Sequence, residues 1–223
     1  MFKVFLLVLL SLLVFANPGL QAQTSPPVDE IINQLQTRYN TTQDIQANFT
    51  QIATLKSVGQ KQKQKSEGVV YFKKPGKMRW EYAPPSEQLL VSDGETLWLY
   101  LPENEQVMVE KVQSAYSSRT PINFLAGGGK LKEDFNIRVV PDMEGYPPNT
   151  YHLELIPKTT QPDFSKLVLS VDPNTYLVVH TSVYDLYGNV TDVYFTDMRT
   201  NTHIPEEKFR FQIPKGVEVL QQK

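Results

Sequence analysis

Side chains able to do acid–base, nucleophilic or metal chemistry are few and scattered in this 223-residue chain, which has three histidines and no cysteine. His152, His180 and His203 lie far apart, none at the short spacing that lets two ligands share one metal. His152 falls where Tyr151, Leu153 and Leu155 alternate with His152 and Glu154, which reads as a strand with His152 on its exposed side. No G-x-S-x-G or H-E-x-x-H motif occurs, and the carboxylates are dispersed. Gly127-Gly128-Gly129-Lys130 superficially suggests a phosphate loop, but the spacing is wrong and no Ser or Thr follows the lysine; it reads as a flexible connection. The Lys–Gln alternation at 61–65 reads as a solvated loop between strands. The concentrated chemistry is apolar. Trp80 and Tyr82, then Trp98 and Tyr100, recur at a spacing of two, as residues lining a core or the wall of a cavity that a ligand completes.

The elements that must position these aromatics are mostly strands. Ser25-Pro26 reads as an N-cap and first helical residue, and Val28, Ile31, Ile32, Leu35 and Tyr39 form one apolar stripe on a helix ending near Asn40. Period two then takes over. Ile45, Ala47 and Phe49 alternate with polar residues, a strand over 67–73 carries Phe72, and Met78, Trp80 and Tyr82 alternate with Arg79 and Glu81. Leu90 lies in a strand over 88–92, and Asp93-Gly94 turns it into 96–101. Further strands are expected at 106–110, 135–140, 151–156, 167–171, 176–186, 190–196 and 209–213. Pro75-Gly76, Asp172-Pro173-Asn174 and Tyr187-Gly188-Asn189 mark other turns, so neighbours are antiparallel. Thr120-Pro121 opens a short helix with Ile122, Phe124 and Leu125, stopped by the glycine run. Two small helices cannot cover roughly ten strands, so the sheet should curl into a barrel or sandwich around a partial cover, leaving a cavity for an apolar ligand.

Lys3, an apolar run from Val4 to Phe15 broken only by Ser11, then Asn17-Pro18-Gly19 and Leu20-Gln21-Ala22 read as a secretory signal peptide cut after Ala22. The run is shorter than the roughly 20 residues of a spanning helix. The expected organisation is a cleaved segment 1–22 and a single domain over 23–223. Without cysteine an exported chain has neither a disulfide framework nor a lipidated cysteine, which predicts a soluble protein. The formal net charge is −2, one unit more negative after loss of Lys3, which argues against nucleic acid.

Residues 68–100, GVVYFKKPGKMRWEYAPPSEQLLVSDGETLWLY, resemble the LolA family of periplasmic lipoprotein carriers. The features are Lys74-Pro75, Trp80, Pro85, Gln88, Leu89-Leu90-Val91, Ser92-Asp93-Gly94, Trp98 and Tyr100. Phe49-Thr50-Gln51 is similar to the strand after the family's first helix, PINFLAG (121–127) to its lid segment, and FRFQIPKGVEVL (209–220) to its closing strand.

The resemblance implies a mainly β fold: an incomplete, strongly curved antiparallel barrel of about ten to eleven strands, with short helices as a lid. It implies a hydrophobic cavity lined by Phe49, Phe72, Met78, Trp80, Tyr82, Leu90, Trp98 and Tyr100. The lid residues would be Ile31, Ile32, Leu35, Pro121, Phe124 and Leu125. Family members commonly carry Arg where Lys74 stands and an aromatic where Met78 stands. Lys74 is thus the candidate lid latch, with three donors but no planar fork. The implied activity is transport, not catalysis, and needs no cofactor. The carrier would be a periplasmic monomer taking acylated lipoproteins from a LolCDE-type ABC transporter to a LolB-type outer-membrane acceptor. A periplasmic lipid-binding or envelope-stress sensor domain, of which RseB is an example, is the alternative on the same fold.

Overall fold

The computed structural model describes residues 26–57, 60–112 and 131–221. The signal-peptide segment 1–22 and the lid residues Pro121, Phe124 and Leu125 lie outside the described residues, as does the glycine run. One helix, α1 (Val28–Thr41), precedes the sheet. It starts two residues later than the Ser25-Pro26 pattern suggests, with Pro27 at the N-cap position, and places Asp29 and Glu30 in the first turn and Arg38 in the last, complementing the helix dipole.

Among the described residues twelve strands follow. They are β1 (Asp44–Ser57), β2 (Gln60–Lys73), β3 (Lys77–Tyr82), β4 (Leu89–Asp93), β5 (Thr96–Leu101) and β6 (Gln106–Lys111), then β7 (Phe135–Val140), β8 (Tyr151–Pro157), β9 (Lys166–Val171), β10 (Val178–Tyr184), β11 (Val190–Thr200) and β12 (Glu218–Gln221). A single helical turn, Leu131–Asp134, precedes β7. All strands belong to one open sheet of order β12-β6-β5-β4-β3-β2-β1-β11-β10-β9-β8-β7. Every neighbouring pair is antiparallel except β12 on β6. Among the described residues β12 and β7 are the two edges, and these twelve strands do not close into a barrel.

The sheet curls around α1. Ile31, Ile32, Leu35 and Tyr39 are buried in one core with β1–β3 residues (Ile45, Phe49, Val70, Trp80) and β8–β9 residues (Leu153, Leu155, Leu167, Leu169). The two halves of the sheet meet across the helix, whose apolar stripe covers both.

Three expectations are corrected. The Lys–Gln run at 61–65 is not a loop: it is strand, paired residue for residue with β1 through Leu55↔Gln62, Thr54↔Lys63 and Ile52↔Lys65. The alternation is strand periodicity with polar residues on both faces, as a hairpin projecting into water allows. The strand expected over 209–213 is absent. Pro205 leads instead into a 3₁₀ turn (Glu206–Phe209), and an irregular segment runs to Gly216 before β12. Phe209 is buried there, so burial of single aromatics on the sheet outweighs ladder formation. Tyr176, expected to open β10, has φ +53 in the turn after Asp172, and β10 begins at Val178.

Candidate functional site

The register sorts the expected aromatics onto two faces. Ile45, Ala47 and Phe49 of β1 oppose Phe72, Val70 and Gly68 of β2, which oppose Met78, Trp80 and Tyr82 of β3. Trp80 in turn opposes Leu90 of β4. These residues share the concave face with α1. Trp80 is the hub: its ring lies 4.8 Å from Phe49, 5.7 Å from Phe72 and 6.2 Å from Phe195. Phe49 is also 4.9 Å from Tyr82. These centroid separations are those of favourable aromatic pairs. Gly68 makes the cluster possible, since a Cβ there would come within 2.8 Å of the Phe49 ring and 2.0 Å of the Glu81 carbonyl oxygen. Only a residue without a side chain lets Phe49 lie across its neighbour strand.

Trp98 and Tyr100 are not part of this lining. Trp98 pairs with Val91 and Tyr100 with Leu89, the opposite parity to Leu90. Both therefore lie on the convex face, where Phe211 of the C-terminal segment covers them at 6.2 and 5.8 Å. The sequence places all four aromatics at period two within their strands, but the parity between strands depends on turn lengths that only the fold reveals. Conversely, Phe195, Met198 and Val178 join the concave face without having been singled out. The alternation Val193-Tyr194-Phe195 was the signal that could have marked Phe195.

Helix α1 fills the concavity with its own side chains, Ile31 and Leu35 being fully buried. Two crevices beside it are too tight for a ligand. One, lined by Tyr39, Ile45, Phe72 and Lys74, has room for about 10 Å³, and one, lined by Ala47, Phe72, Val178 and Phe195, has none. At these places the helix side chains and the sheet are in contact, so a ligand enters there by displacing them. The polar ties of the helix gather at its last turn. Lys74 donates to the carbonyl of Tyr39 and, at 3.4 Å, to that of Asn40. Arg38 donates to Thr200 Oγ1 at 3.0 Å, and the Val178 N–H to the Tyr39 hydroxyl at 3.2 Å. At the other end Lys132 reaches Asp29 and Asn33 at 2.7 and 3.0 Å.

Electrostatics on the concave face follow burial. Burial pushes the Tyr82 hydroxyl up to about 12, so it stays protonated and donates to Gln51 Oε1 at 3.0 Å. Burial lowers the Lys74 ammonium below the ordinary lysine value. The indole N–H of Trp80 is buried with no hydrogen-bond partner among the described residues.

The convex face of the second half carries a polar network that the sequence hid. His152 Nδ1 and His180 Nδ1 each lie 3.0 Å from Ser170 Oγ, which donates to one ring and accepts from the other. The outer nitrogens face Asp142 at 3.0 Å and Asp192 at 3.1 Å, and Ser182 donates to Asp192 at 2.5 Å. His152, expected on an exposed side, is buried: the 141–150 loop folds back over it and lays Tyr146 against both imidazoles, at 5.0 and 5.4 Å. Desolvation holds His152 below the ordinary histidine value, against the raising pull of Asp142. Ser170 is itself fully buried, so the chain Asp–His–Ser–His–Asp fastens the 141–150 loop and four strands, β8 to β11, and offers no open nucleophile. His203 is exposed and apart from the pair. No group of residues suited to a metal ion occurs among the described residues.

Comparison with known proteins fits this architecture. The model of the family described as "Outer membrane lipoprotein carrier protein LolA" matches residues 40–212. An outer-membrane lipoprotein carrier protein of Nitrosomonas europaea is 33% identical over 85% of this chain and 88% of its own. Those of Methylococcus capsulatus and Legionella pneumophila (strain Corby) are each 30% identical, over 91% of both chains and over 97% and 98% respectively. A crystal structure of an uncharacterized conserved protein from Thermus thermophilus shares the fold, with a TM-score of 0.53 over 87% of this chain and 98% of that one, at 15% identity. The family model covers more than half of the chain and the relatives match most of it, and the chain belongs to the LolA family of outer membrane lipoprotein carrier proteins.

Proposed function

We propose that this protein carries lipoproteins by sheltering their acyl chains on the concave face of its sheet, with α1 as the displaceable cover. The observation that carries the reading is the burial of Ile31 and Leu35 in one apolar core with the aromatic cluster around Trp80. Three acyl chains of about 15 methylenes each would cost on the order of 35 kcal/mol in water at ~0.8 kcal/mol per methylene. A carrier must offset much of that cost and still let go. Helix residues that refill the concavity after release stabilise the empty state, and so bring release closer to neutral. The buried Trp80 indole N–H gains an acceptor if an ester carbonyl of the cargo enters beside it.

In this reading the chain is exported after cleavage of residues 1–22 and works as a soluble periplasmic monomer over 23–223. Lys74 and the segment bearing Pro121, Phe124 and Leu125 act with α1 as latch and lid. The donor is a LolCDE-type transporter of the inner membrane and the acceptor a LolB-type protein of the outer membrane. No described helix is long and apolar enough to cross a membrane. The test is release of labelled lipoprotein from spheroplasts into a soluble one-to-one complex with the mature protein. Binding of free fatty acid or phospholipid without lipoprotein release would overturn the cargo and keep the apolar face.

A further inference from the structure

The far end of β1, opposite the anchored end of α1, has features that burial of acyl chains does not explain. β1 and β2 run on together to the end of their hairpin, but β3 pairs with β2 only from Gly68 onward and the Ala83 N–H reaches the Glu67 carbonyl, so among the described residues no strand pairs with the outer edge of 60–66. β11 follows β1 only to Thr54↔Val190. There the β10–β11 turn takes over: the Lys56 N–H donates to Asn189 Oδ1 at 2.7 Å, and Gly188 packs against the Lys56 side chain. The two hairpins thus project as one tip.

That turn is held firmly. The Asp185 carboxylate accepts the backbone N–H groups of Tyr187 and Asn189, each at 2.8 Å, and the Asn189 side chain at 2.6 Å. It presents Leu186 and Tyr187 to solvent, 56% and 84% exposed. Beside it, Lys56, Lys63 and Lys65 share one face, as the register Thr54↔Lys63 and Ile52↔Lys65 requires, and all three are exposed. Glu67 pairs with Lys65 at 2.5 Å, and Asp185 and Asp192 keep their charge while accepting hydrogen bonds beside it. Residues 55–66 themselves hold four lysines and no carboxylate, a local reversal of sign in a chain of net charge −2. Leu55, also exposed, lies on the other face of the hairpin, in line with Ala53, Gln51 and Phe49 along the concave side.

A rigid tip that offers lysines together with an outward Tyr and Leu has the composition of a bilayer interface. Ammonium groups meet anionic headgroups, tyrosine sits at headgroup level and leucine below it. We propose that the paired β1–β2 and β10–β11 hairpin ends form a docking surface for an anionic lipid bilayer, engaged weakly and reversibly. Repulsion between that surface and the acidic remainder would orient the molecule tip-first. The proposal goes beyond the carrier reading and stands without it.

Flotation of the mature, unloaded protein with phosphatidylcholine vesicles containing about 30% phosphatidylglycerol, against phosphatidylcholine alone, tests it. Binding is expected to the anionic vesicles only at about 0.1 M salt, and to vanish at about 0.5 M. Lys63→Gln should weaken it about fivefold, and Lys65→Gln, whose ammonium Glu67 already meets, by less. Leu186→Ser with Tyr187→Ser should weaken it about tenfold at unchanged Tm. Equal binding to neutral vesicles, no binding at low salt, or indifference to these variants would overturn the proposal. So would lysine variants that self-associate while binding vesicles normally, since the lysines would then only guard the free edge of β2. Binding only to vesicles that contain membrane proteins would overturn it in favour of a protein partner. The two readings fail separately. Tip variants should still take lipoprotein from detergent micelles, whereas a protein that docks on vesicles but never takes up lipoprotein would sink the carrier reading alone.

Discussion

The two faces of this sheet are held by opposite kinds of force. On the concave side, α1 meets the Trp80 cluster through apolar contacts, with polar ties at the helix ends. On the convex side of the second half, His152, Ser170, His180 and Asp192 interlock through hydrogen bonds beneath Tyr146. Apolar contact is non-directional, so a lipid chain can replace a leucine with little loss. A buried hydrogen-bond network has no such substitute, because each lost partner leaves a desolvated group behind. On the proposed reading, the face held by apolar contact is the one that exchanges its cover for cargo, and the hydrogen-bonded face is the frame.

The largest effect expected is from Leu35→Ala. It removes a fully buried side chain of the cover and should destabilise the empty protein by about 3 kcal/mol, read from chemical denaturation. If the concave face is exchangeable, the same variant bound to fatty acid should recover most of that loss, since ligand then fills the space. A loss that persists at saturating ligand would place α1 in the permanent frame.

Ser170→Ala should cost about 2 kcal/mol, because two buried imidazoles lose their shared partner. Here added fatty acid should restore nothing. Recovery would erase the distinction between the faces.

Lys74→Met sharpens the comparison at the latch. It removes the donor to the Tyr39 and Asn40 carbonyls while keeping the apolar stem, for a loss of about 1 kcal/mol. The helix should open more readily, so cargo should be held longer in a release assay. Unchanged release would leave Lys74 as a cap on the helix end and nothing more.

The smallest effect is in pH. His152 is held below its ordinary value by burial, so the unfolded chain binds a proton that the folded chain resists. Stability is therefore full above about pH 6.5 and declines as pH falls below it. Glu206, flanked by Lys73 and Lys77, is held down to about 2, well outside that range. Comparing Tm at neutral and mildly acidic pH in wild type and His152→Gln isolates the effect. The variant should show a flatter profile, and an identical slope would assign the decline to other groups.

Much was legible in the sequence because it is local. The stripe Ile31, Ile32, Leu35, Tyr39 has one helical reading, and all four residues are buried on α1. The alternations around Phe49 and Trp80 require strands, and turns at Gly76, Gly94 and Gly188 adopt the positive φ that glycine permits. Apolar patterning and the order of motifs were enough to indicate a curled sheet with a helical cover. What the chain alone left open is relational. Trp98 and Tyr100 look like Trp80 and Tyr82, yet lie on the opposite face, because parity passes from strand to strand through pairing register. His152 and His180 are far apart in sequence, and only the pairing of β8, β9 and β10 puts Ser170 between them. Periodicity is written in the neighbours of each residue and so is set locally by the sequence. Which face a strand turns inward, and which distant side chains meet there, depends on the packing of the whole sheet around α1, and only the tertiary structure decides it.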